Sequence, residues 1–261
     1  MPRPLTGRPH GQRDLLITGL ALLALLCWDA SGLDLPAARL FGSAQGFGLR
    51  DSWWTATLLH GGGRVAAWLT LAALGLSLWR TPTTQQPPTV QRAAWMVAML
   101  LCILAVPAIK RFSVTSCPWD LAEFGGVATY VSHWQPGVAD GGSGRCFPSG
   151  HAVAAFSFFG MYFLWRDHSA ARARVWLGAV LVAGTVFGAA QLARGAHYPS
   201  HTLWSAWLCW AVCVCGSVGA RVCLSVCVSV CASRLPRFQS VSAKPSTSAA
   251  GVVTEPSLRA P

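Results

Sequence analysis

The stretch that decides the fold is GRCFPSGHAVAAFSFFG, residues 144–160. Its first part is a polar loop that ends at His151, and its second part is an apolar run typical of a membrane helix. A membrane helix gains nothing from a histidine at its mouth unless a proton or a positive charge is needed there. The stretch therefore predicts a membrane helix that begins beside a chemical site.

The composition is that of a membrane protein. Of the 261 residues, 53% are hydrophobic and 11% are charged, whereas soluble domains carry about 25% charged residues. The net charge is +11, but the basic residues form no patch with interleaved aromatics, which argues against nucleic-acid binding. The expected partners of these charges are the anionic headgroups of a bilayer.

The apolar runs predict an all-α, polytopic membrane protein with six transmembrane helices. We place these helices near residues 15–28, 56–79, 93–109, 151–165, 175–192 and 202–220. Several runs are shorter than the ~20 residues that cross a bilayer, so we expect their ends to extend into the loops. The first run has the length of a signal-peptide core, but the weak cleavage signal after it favours an uncleaved signal anchor.

The distribution of Lys and Arg predicts the orientation. These residues concentrate in the N-terminus, in the second-to-third and fourth-to-fifth connections and in the C-terminal tail, so we expect both termini in the cytoplasm. The expected divisions are a cytoplasmic N-terminus at 1–14, a membrane domain at 15–231 and a disordered, Ser- and Pro-rich tail at 232–261. The loops 110–151 and 193–201 then face the periplasm or exterior of a bacterial inner membrane.

These two outer loops hold groups suited to phosphate chemistry. Lys110 and Arg194 can hold an anion, the first as a point charge and the second with a planar fork. Free backbone N–H groups at Ser149 and Gly150, before a helix start, form a further anion site. Imidazoles suit nucleophilic attack and proton transfer near neutral pH, and the loops supply His151, His197 and His201. The set predicts phosphoryl transfer, and no carboxylate cluster suggests a metal.

At these residues the chain resembles the type 2 phosphatidic acid phosphatase superfamily, which also includes the vanadium haloperoxidases. The superfamily carries three blocks: Lys, six residues and Arg-Pro; then Pro-Ser-Gly-His; then Ser-Arg, five residues, His, three residues and Asp. The second block is intact at residues 148–151. The first is partial, because Cys117 stands at the Arg position after Lys110.

The third block is also altered. The letters GAHYPSH resemble the superfamily's usual Gly-x-His-Tyr-Pro-Ser-Asp, so that His197 falls on the nucleophile and His201 takes the place of Asp. Gln191 stands at the Arg position, and Arg194 follows three residues later. An alternative register makes His201 the nucleophile. The resemblance covers about residues 56–220.

The resemblance implies a six-helix bundle of the membrane-bound lipid phosphatase branch, acting on a lipid phosphate monoester or pyrophosphate through a phosphohistidine, with neither metal nor cofactor. Carried over, His197 attacks phosphorus and His151 protonates the leaving oxygen. The groups then expected to hold the phosphoryl oxygens are Lys110, Ser149, Gly150 and Arg194. Arg111 or Arg145 of the same loop offsets the missing Arg of the first block.

Two cysteines flank the expected site. If the loop is periplasmic, oxidising conditions favour a disulfide between Cys117 and Cys146. This bridge would close the loop and fix Lys110 relative to His151. The alternative is two unpaired buried thiols.

Other functions stay open at this point. A lipid phosphotransferase would use the same residues, and the altered blocks also suit a non-catalytic, anion-binding protein on a decayed phosphatase core. His197 and His201 are four residues apart and could bind a metal or haem with His60, although Pro199 argues against an uninterrupted helix between them. His60 and Arg64, inside the second apolar run, either line the pocket or lie near the interface.

Overall fold

The computed structural model describes residues 10–135 and 137–234, with side chains described as far as residue 219. The chain divides into two compact units, Met1–Arg221 and Val222–Pro261. Within the second unit the last helix continues to Arg234. This helix includes the first three residues of the expected tail at 232–261, and the rest of that tail lies outside the described residues, as do residues 1–9.

The described chain is mostly helical, as predicted. Its α-helices are α1 (His10–Ser31), α2 (Asp34–Arg39), α3 (Gly63–Ser77), α4 (Thr89–Lys110), α5 (Val153–Phe156), α6 (Phe159–Trp165), α7 (Ala170–Ala193) and α8 (Pro199–Arg234). A π-helix, Trp53–Gly62, leads directly into α3. A small antiparallel hairpin pairs β1 (Gly42–Ser43) with β2 (Gly46–Phe47), and short 3₁₀ turns cover Pro118–Asp120 and Ala122–Phe124.

Among the described residues, four helices are long and apolar enough to cross a membrane: α1, α4, α7 and the Pro199–Gly219 part of α8. The other two expected spans have a different build. The second consists of the π-helix and α3 end to end. The fourth begins at Val153 rather than at His151 and is interrupted at Ser157 and Phe158, between α5 and α6.

Proline and serine set the helix ends that matter for the site. Pro88 precedes α4 with an extended backbone. Ser169 caps α7, because its side chain accepts a hydrogen bond from the backbone N–H of Arg172. Pro199 takes the first position of α8, where its missing N–H costs nothing. These signals leave the short loop at 194–198 between α7 and α8, and this loop carries His197.

The apolar core lies between the central helices. Helix α6 packs against α4 and α7, and α5 packs against α7. The approach of α5 to α7 requires Gly184, since a Cβ there would collide with the ring of Phe156. The largest contributors to this core are Met99, Phe156, Phe159, Met161, Phe163 and Leu164. Tight packing at this level fixes the direction in which the turn before α5 points.

A second apolar cluster lies in the outer loops. It joins α2, the hairpin, the 3₁₀ turns and the residue after His197, through Ala38, Phe47, Leu121, Phe124, Ala128 and Tyr198. Gly195 is part of this arrangement, because its φ of 72° favours glycine and a Cβ there would collide with Phe47. The loop of His197 is therefore supported by a packed layer.

A buried ion pair anchors the first helix to the bundle. Arg166 Nη1 donates to Asp14 Oδ2 over 2.7 Å, and the two side chains are 5% and 3% exposed. The other terminal nitrogen of Arg166 donates to Ser217 Oγ of α8. The pair therefore ties α1, the end of α6 and α8 together.

Candidate active site

A cavity of about 430 Å³ opens between the π-helix, α3, α4 and the loops that precede α5 and α8. Its polar lining consists chiefly of His60, Arg64, Lys110, His151, Gln191, Arg194 and His197. Its apolar lining includes Trp68, Leu71, Ile103, Val153 and Phe158. On α3 and α4 the apolar residues lie farther from the outer loops than Arg64 and Lys110. The cavity therefore has a charged end at the outer loops and an apolar end among the helices.

His197 stands in the loop between α7 and α8. The backbone N–H groups of Ala196 and His197 both donate to the carbonyl of Gln191, which folds the loop back against the end of α7. The imidazole is buried and lines the cavity. Burial, reinforced by the charge of Lys110, holds the pKa of His197 well below its ordinary value. The ring is therefore neutral near pH 7, which is the nucleophilic form.

One edge of the His197 ring faces the protein interior. Its Nδ1 lies 3.5 Å from Nδ1 of His201 and 3.5 Å from Sγ of Cys146. The sulfur belongs to a disulfide and carries no hydrogen, so it can only accept. A proton on Nδ1 of His197 thus finds an acceptor on this side and leaves the lone pair on Nε2. That tautomer keeps Nε2 free for attack.

His151 occupies the turn immediately before α5 and also lines the cavity. Its Nε2 lies 3.3 Å from the carbonyl oxygen of Leu59, and its ring stacks on His60 with centroids 4.3 Å apart. Burial, followed by the charge of neighbouring His60, lowers the pKa of His151 to about 4, although the bond to Leu59 opposes this shift. In the free protein the ring is neutral and its Nδ1 has no partner among the described residues.

Three basic side chains line the cavity together with the imidazoles of His60, His151 and His197. Arg64, Lys110 and Arg194 line the cavity, and none of the Asp and Glu residues in the described chain does so. The side chain of Arg194 is fixed by a hydrogen bond in which its Nε–H donates to the carbonyl oxygen of Arg50 over 2.7 Å. The Lys110 side chain passes close to Gly150, where a Cβ would lie 4.0 Å from Nζ. The electrostatics favour a bound anion.

Two residues that line the cavity belong to none of the three sequence motifs, and the sequence left open whether they line a pocket. His60 and Arg64 line the cavity from the π-helix and α3. Gln191, at the position where the superfamily has Arg, donates its Nε2 to His60 Nδ1 over 3.2 Å. This contact fixes which nitrogen of His60 is the acceptor. For His60 and Arg64, the one signal in the sequence was their position inside the second apolar run, because an ionisable group inside a membrane segment indicates function.

Several expected site residues do not reach the cavity. Ser149 is fully buried, and its N–H donates to the carbonyl of His201, so it is not free for an anion. Arg111 and Arg145 are exposed and do not line the cavity. His201 lies behind His197 in the first turn of α8. The first motif block lacks its Arg because Cys117 stands there, and Arg64 is the residue that supplies a guanidinium to the cavity from α3.

Cys117 and Cys146 form a disulfide in the structure, with their Cα atoms 5.2 Å apart. Cys117 lines the cavity, and Cys146 lies against His197. The two sulfurs and His197 lie together, but bridged sulfurs are unavailable as metal ligands. His197 and His201 bring their Nδ1 atoms to 3.5 Å from each other, but among the described residues no His, Cys, Asp or Glu with a free ligand atom completes a group of three with them.

The start of α8 is held by an acid that the sequence motifs do not contain. Asp34, buried at the start of α2, accepts from the backbone N–H of Ser200 over 3.0 Å and also from its hydroxyl. Trp28 Nε1 donates to the same carboxylate. A carboxylate at a helix N-terminus satisfies free N–H groups and complements the helix dipole. Asp34 therefore positions the turn between His197 and His201.

Residues 92–218 match the family model described as the PAP2 superfamily. No curated protein and no solved structure matches the chain. The matched region begins within α4 and ends within α8, so it contains Lys110, His151 and His197. His60 and Arg64 lie outside it, as do α1 and α2. The matched region therefore contributes Lys110, His151, Gln191, Arg194 and His197 to the cavity lining, and the π-helix and α3 contribute the rest of its polar lining.

Proposed function

The chain belongs to the PAP2 superfamily, and on that premise we propose that it is an integral membrane phosphatase that acts on lipid phosphates. The substrate is a lipid phosphate monoester or pyrophosphate, and the reaction passes through a phosphohistidine without a metal. One observation carries the proposal: the imidazoles of His151 and His197 line a single cavity with three basic side chains, and no carboxylate of the described residues lines it.

The first step is attack by the Nε2 lone pair of His197 on phosphorus. A P–N bond forms while the bond from phosphorus to the lipid oxygen breaks, and His151 gives a proton to that oxygen. The charges of Arg64, Lys110 and Arg194 stabilise the phosphoryl oxygens as negative charge shifts among them. His201 accepts a hydrogen bond from the N–H at Nδ1 of His197, and it thereby replaces the Asp that the superfamily has at this position.

His151 takes up its proton when the substrate binds. The free protein holds the pKa of His151 at about 4, but a phosphate anion in the cavity favours the charged imidazole. In the second step neutral His151 takes a proton from water, whose oxygen attacks phosphorus. The P–N bond breaks, His197 returns to its neutral form, and the proton on His151 leaves with the phosphate, which restores the neutral ring.

The lipid character of the substrate follows from the cavity's two ends. The phosphate binds among the cations at the outer loops, while an acyl or prenyl chain contacts Trp68, Leu71 and Phe158. We assign six membrane segments to the bundle, adding Trp53–Ser77 and Val153–Trp165 to the four long apolar helices. The site then faces the periplasm or exterior, with both termini in the cytoplasm, because the basic connections lie at the opposite ends of the helices.

The test is phosphate release by detergent-purified protein in the presence of EDTA, measured on a panel of lipid phosphates. The wild type is compared with His197→Ala, His201→Ala and a control, His168→Ala. His168 contacts Gln91 and lies outside the cavity. Wild type and control should release phosphate, while His197→Ala should be inactive and His201→Ala should retain reduced activity.

The outcomes separate the alternatives. An inactive His201→Ala beside an active His197→Ala would assign the nucleophile to His201. Loss of the substrate phosphate only when a second lipid is added would identify a phosphotransferase. Binding of lipid phosphate without turnover or transfer would contradict the proposal and leave an anion-binding protein.

A further inference from the structure

A second group of ionisable side chains lies outside the cavity, at the junction of three chain segments. Asp29 comes from the end of α1, Asp34 from the start of α2, and His133 from the outer loop. Each offers a ligand atom, and these atoms lie within 4.8 Å of one another. None of the three residues lines the cavity of the proposed phosphatase.

The side chains of this group are deeply buried, and two of their polar atoms lack partners. The side chains of His133 and Asp29 are 7% and 3% exposed. Among the described residues, Nε2 of His133 and Oδ1 of Asp29 have no hydrogen-bond partner. Nε2 of His133 lies 3.4 Å from Oδ2 of Asp29 without forming a hydrogen bond. Buried polar atoms are rarely left unpartnered, so a bound group is expected there.

The remaining lone pairs are those that a cation would use. Oδ2 of Asp29 already accepts from Nε1 of Trp134 and Nε1 of Trp204, each over 2.9 Å. Oδ1 of Asp34 accepts from Trp28 and from the N–H of Ser200, and Oδ2 accepts from the Ser200 hydroxyl alone. Acceptor capacity therefore remains on Oδ1 of Asp29, on Oδ2 of Asp34 and on Nε2 of His133.

The charge of the group also calls for a cation. Within the part of the chain that the structure describes, no Lys or Arg nitrogen lies within 4.0 Å of the carboxylate of Asp29 or Asp34. The ion-pair partner found there is His133 itself, beside Asp29, so at most one of the two buried carboxylates is compensated, and an uncompensated buried charge is strongly unfavourable. A divalent ion bound by both would neutralise them.

We propose that Asp29, Asp34 and His133 bind one divalent transition-metal ion, with Zn²⁺ as the best-suited ion. Zinc accepts imidazole nitrogen and carboxylate oxygen at about 2.0–2.2 Å, so its ligands lie at most about 4 Å apart. The group therefore needs to close by about 1 Å around the ion. Phe147 helps to orient one ligand, because its ring stacks on His133 with centroids 4.2 Å apart.

The ion has a structural task. It joins the end of α1, the start of α2 and the outer loop, and through Asp34 it reaches Ser200 at the start of α8. It is separate from the phosphoryl chemistry, whose residues line the cavity. EDTA is therefore expected to lower the unfolding temperature of the wild type while leaving phosphate release in place below that temperature.

The experiment counts metal in the full chain. Detergent-purified protein is stripped with EDTA, exchanged into chelator-free buffer and titrated with Zn²⁺, and bound zinc is measured by mass spectrometry of the separated protein. Asp29→Asn keeps an oxygen for both tryptophan N–H groups but removes the charge, and His133→Gln removes the nitrogen ligand. His168→Gln, at an exposed histidine, is the matched control.

Wild type and His168→Gln should each bind one zinc ion per chain, and the two site variants should bind it at least ~10-fold more weakly. Equal binding by wild type and both site variants, or no retained zinc in the wild type, would overturn the proposal. Should the variants fail to fold, the visible absorption spectrum of the wild type loaded with Co²⁺ tests which residues bind the metal. Visible absorption without a thiolate charge-transfer band supports the site, and a thiolate band contradicts it.

The readout is independent of phosphate release. If the protein binds zinc at this site but cleaves no lipid phosphate, only the proposed function is contradicted. A chain that cleaves lipid phosphates and binds no zinc would sink the metal site alone.

Discussion

The imidazole of His60 stacks on that of His151 with ring centroids 4.3 Å apart and an interplanar angle of 23°. The two residues are 91 positions apart in sequence, and Gln191 holds His60 from the other side through a 3.2 Å hydrogen bond. The stack orients His151 at the cavity wall. It links the proposed general acid to the second apolar run, outside the region that the family model matches.

Replacing His60 tests this link. His60→Ala should lower kcat/KM by about 10- to 100-fold, because His151 loses the surface that holds its orientation. It should also raise the pKa of His151, since the charge of His60 lowers that pKa. A general acid acts only when protonated, so the basic limb of the pH–rate profile should move to higher pH.

His60→Phe is the matched comparison, because it keeps a ring for stacking and removes the charge. It should retain more activity than His60→Ala and show the same direction of shift in the profile. An unchanged kcat/KM and an unmoved basic limb in His60→Ala would contradict the role of the stack.

Stability should fall in acid because buried histidines, His151 and His197 among them, are held neutral in the folded chain. The folded-state pKa values of His151 (about 4) and His197 lie below the ordinary value of 6.5. Between these values the unfolded chain binds more protons than the folded chain, so the free energy of unfolding decreases as pH falls from about 6.5 towards 4. Each histidine contributes a slope of ~1.4 kcal/mol per pH unit in that window.

The measurement is the unfolding temperature at several pH values between 7.5 and 4.5. His151→Gln should flatten this dependence, whereas the exposed His168→Gln should leave it unchanged. A flat profile in the wild type would show that the two imidazoles are not held neutral.

The disulfide between Cys117 and Cys146 should contribute to both stability and activity. It closes a loop with a sequence separation of 29, which corresponds to about 3–4 kcal/mol of free energy of unfolding in the chain-entropy treatment. Its sulfur also contacts Nδ1 of His197. Replacing both cysteines with serine should lower the unfolding temperature and reduce kcat.

Cys27→Ser is the control, since this exposed cysteine in α1 is unpaired. A reducing agent should affect the wild type and the Cys27→Ser variant alike, and should leave the double variant unchanged. If the double variant matches the wild type in stability and kcat, the bridge has neither role.

Gly195 should be required for the geometry of the loop that carries His197, the proposed nucleophile. Its φ of 72° costs a residue with a Cβ about 1–2 kcal/mol, and that Cβ would also collide with Phe47. Gly195→Ala should therefore lower the unfolding temperature and kcat together. Gly178→Ala, in the middle of α7 with open space around its Cα, should be neutral or stabilising. Equal behaviour of the two variants would contradict this reading.

The sequence by itself predicted the helical, apolar character that the structure shows, and its motifs singled out His151 and His197, which line one cavity. Both follow from local information: apolar runs bounded by proline, serine and charge, and short motifs beside them. Length and composition predicted six spans, and the part of the chain that the structure describes contains four helices that qualify, since the π-helix and the break at Ser157 shorten the other two. Local hydropathy does not reveal where a helix changes its winding or is interrupted.

Only the tertiary structure decided which groups share a site. His60, Arg64 and Gln191 enter the cavity through the rotation and packing of helices far apart in sequence. The same packing leaves Arg111 outside and occupies the N–H of Ser149. Asp29, Asp34 and His133 meet across about a hundred residues of chain. A motif specifies the chemistry available along a few residues, whereas these contacts depend on how the bundle closes, and that is settled by burial and shape across the whole fold.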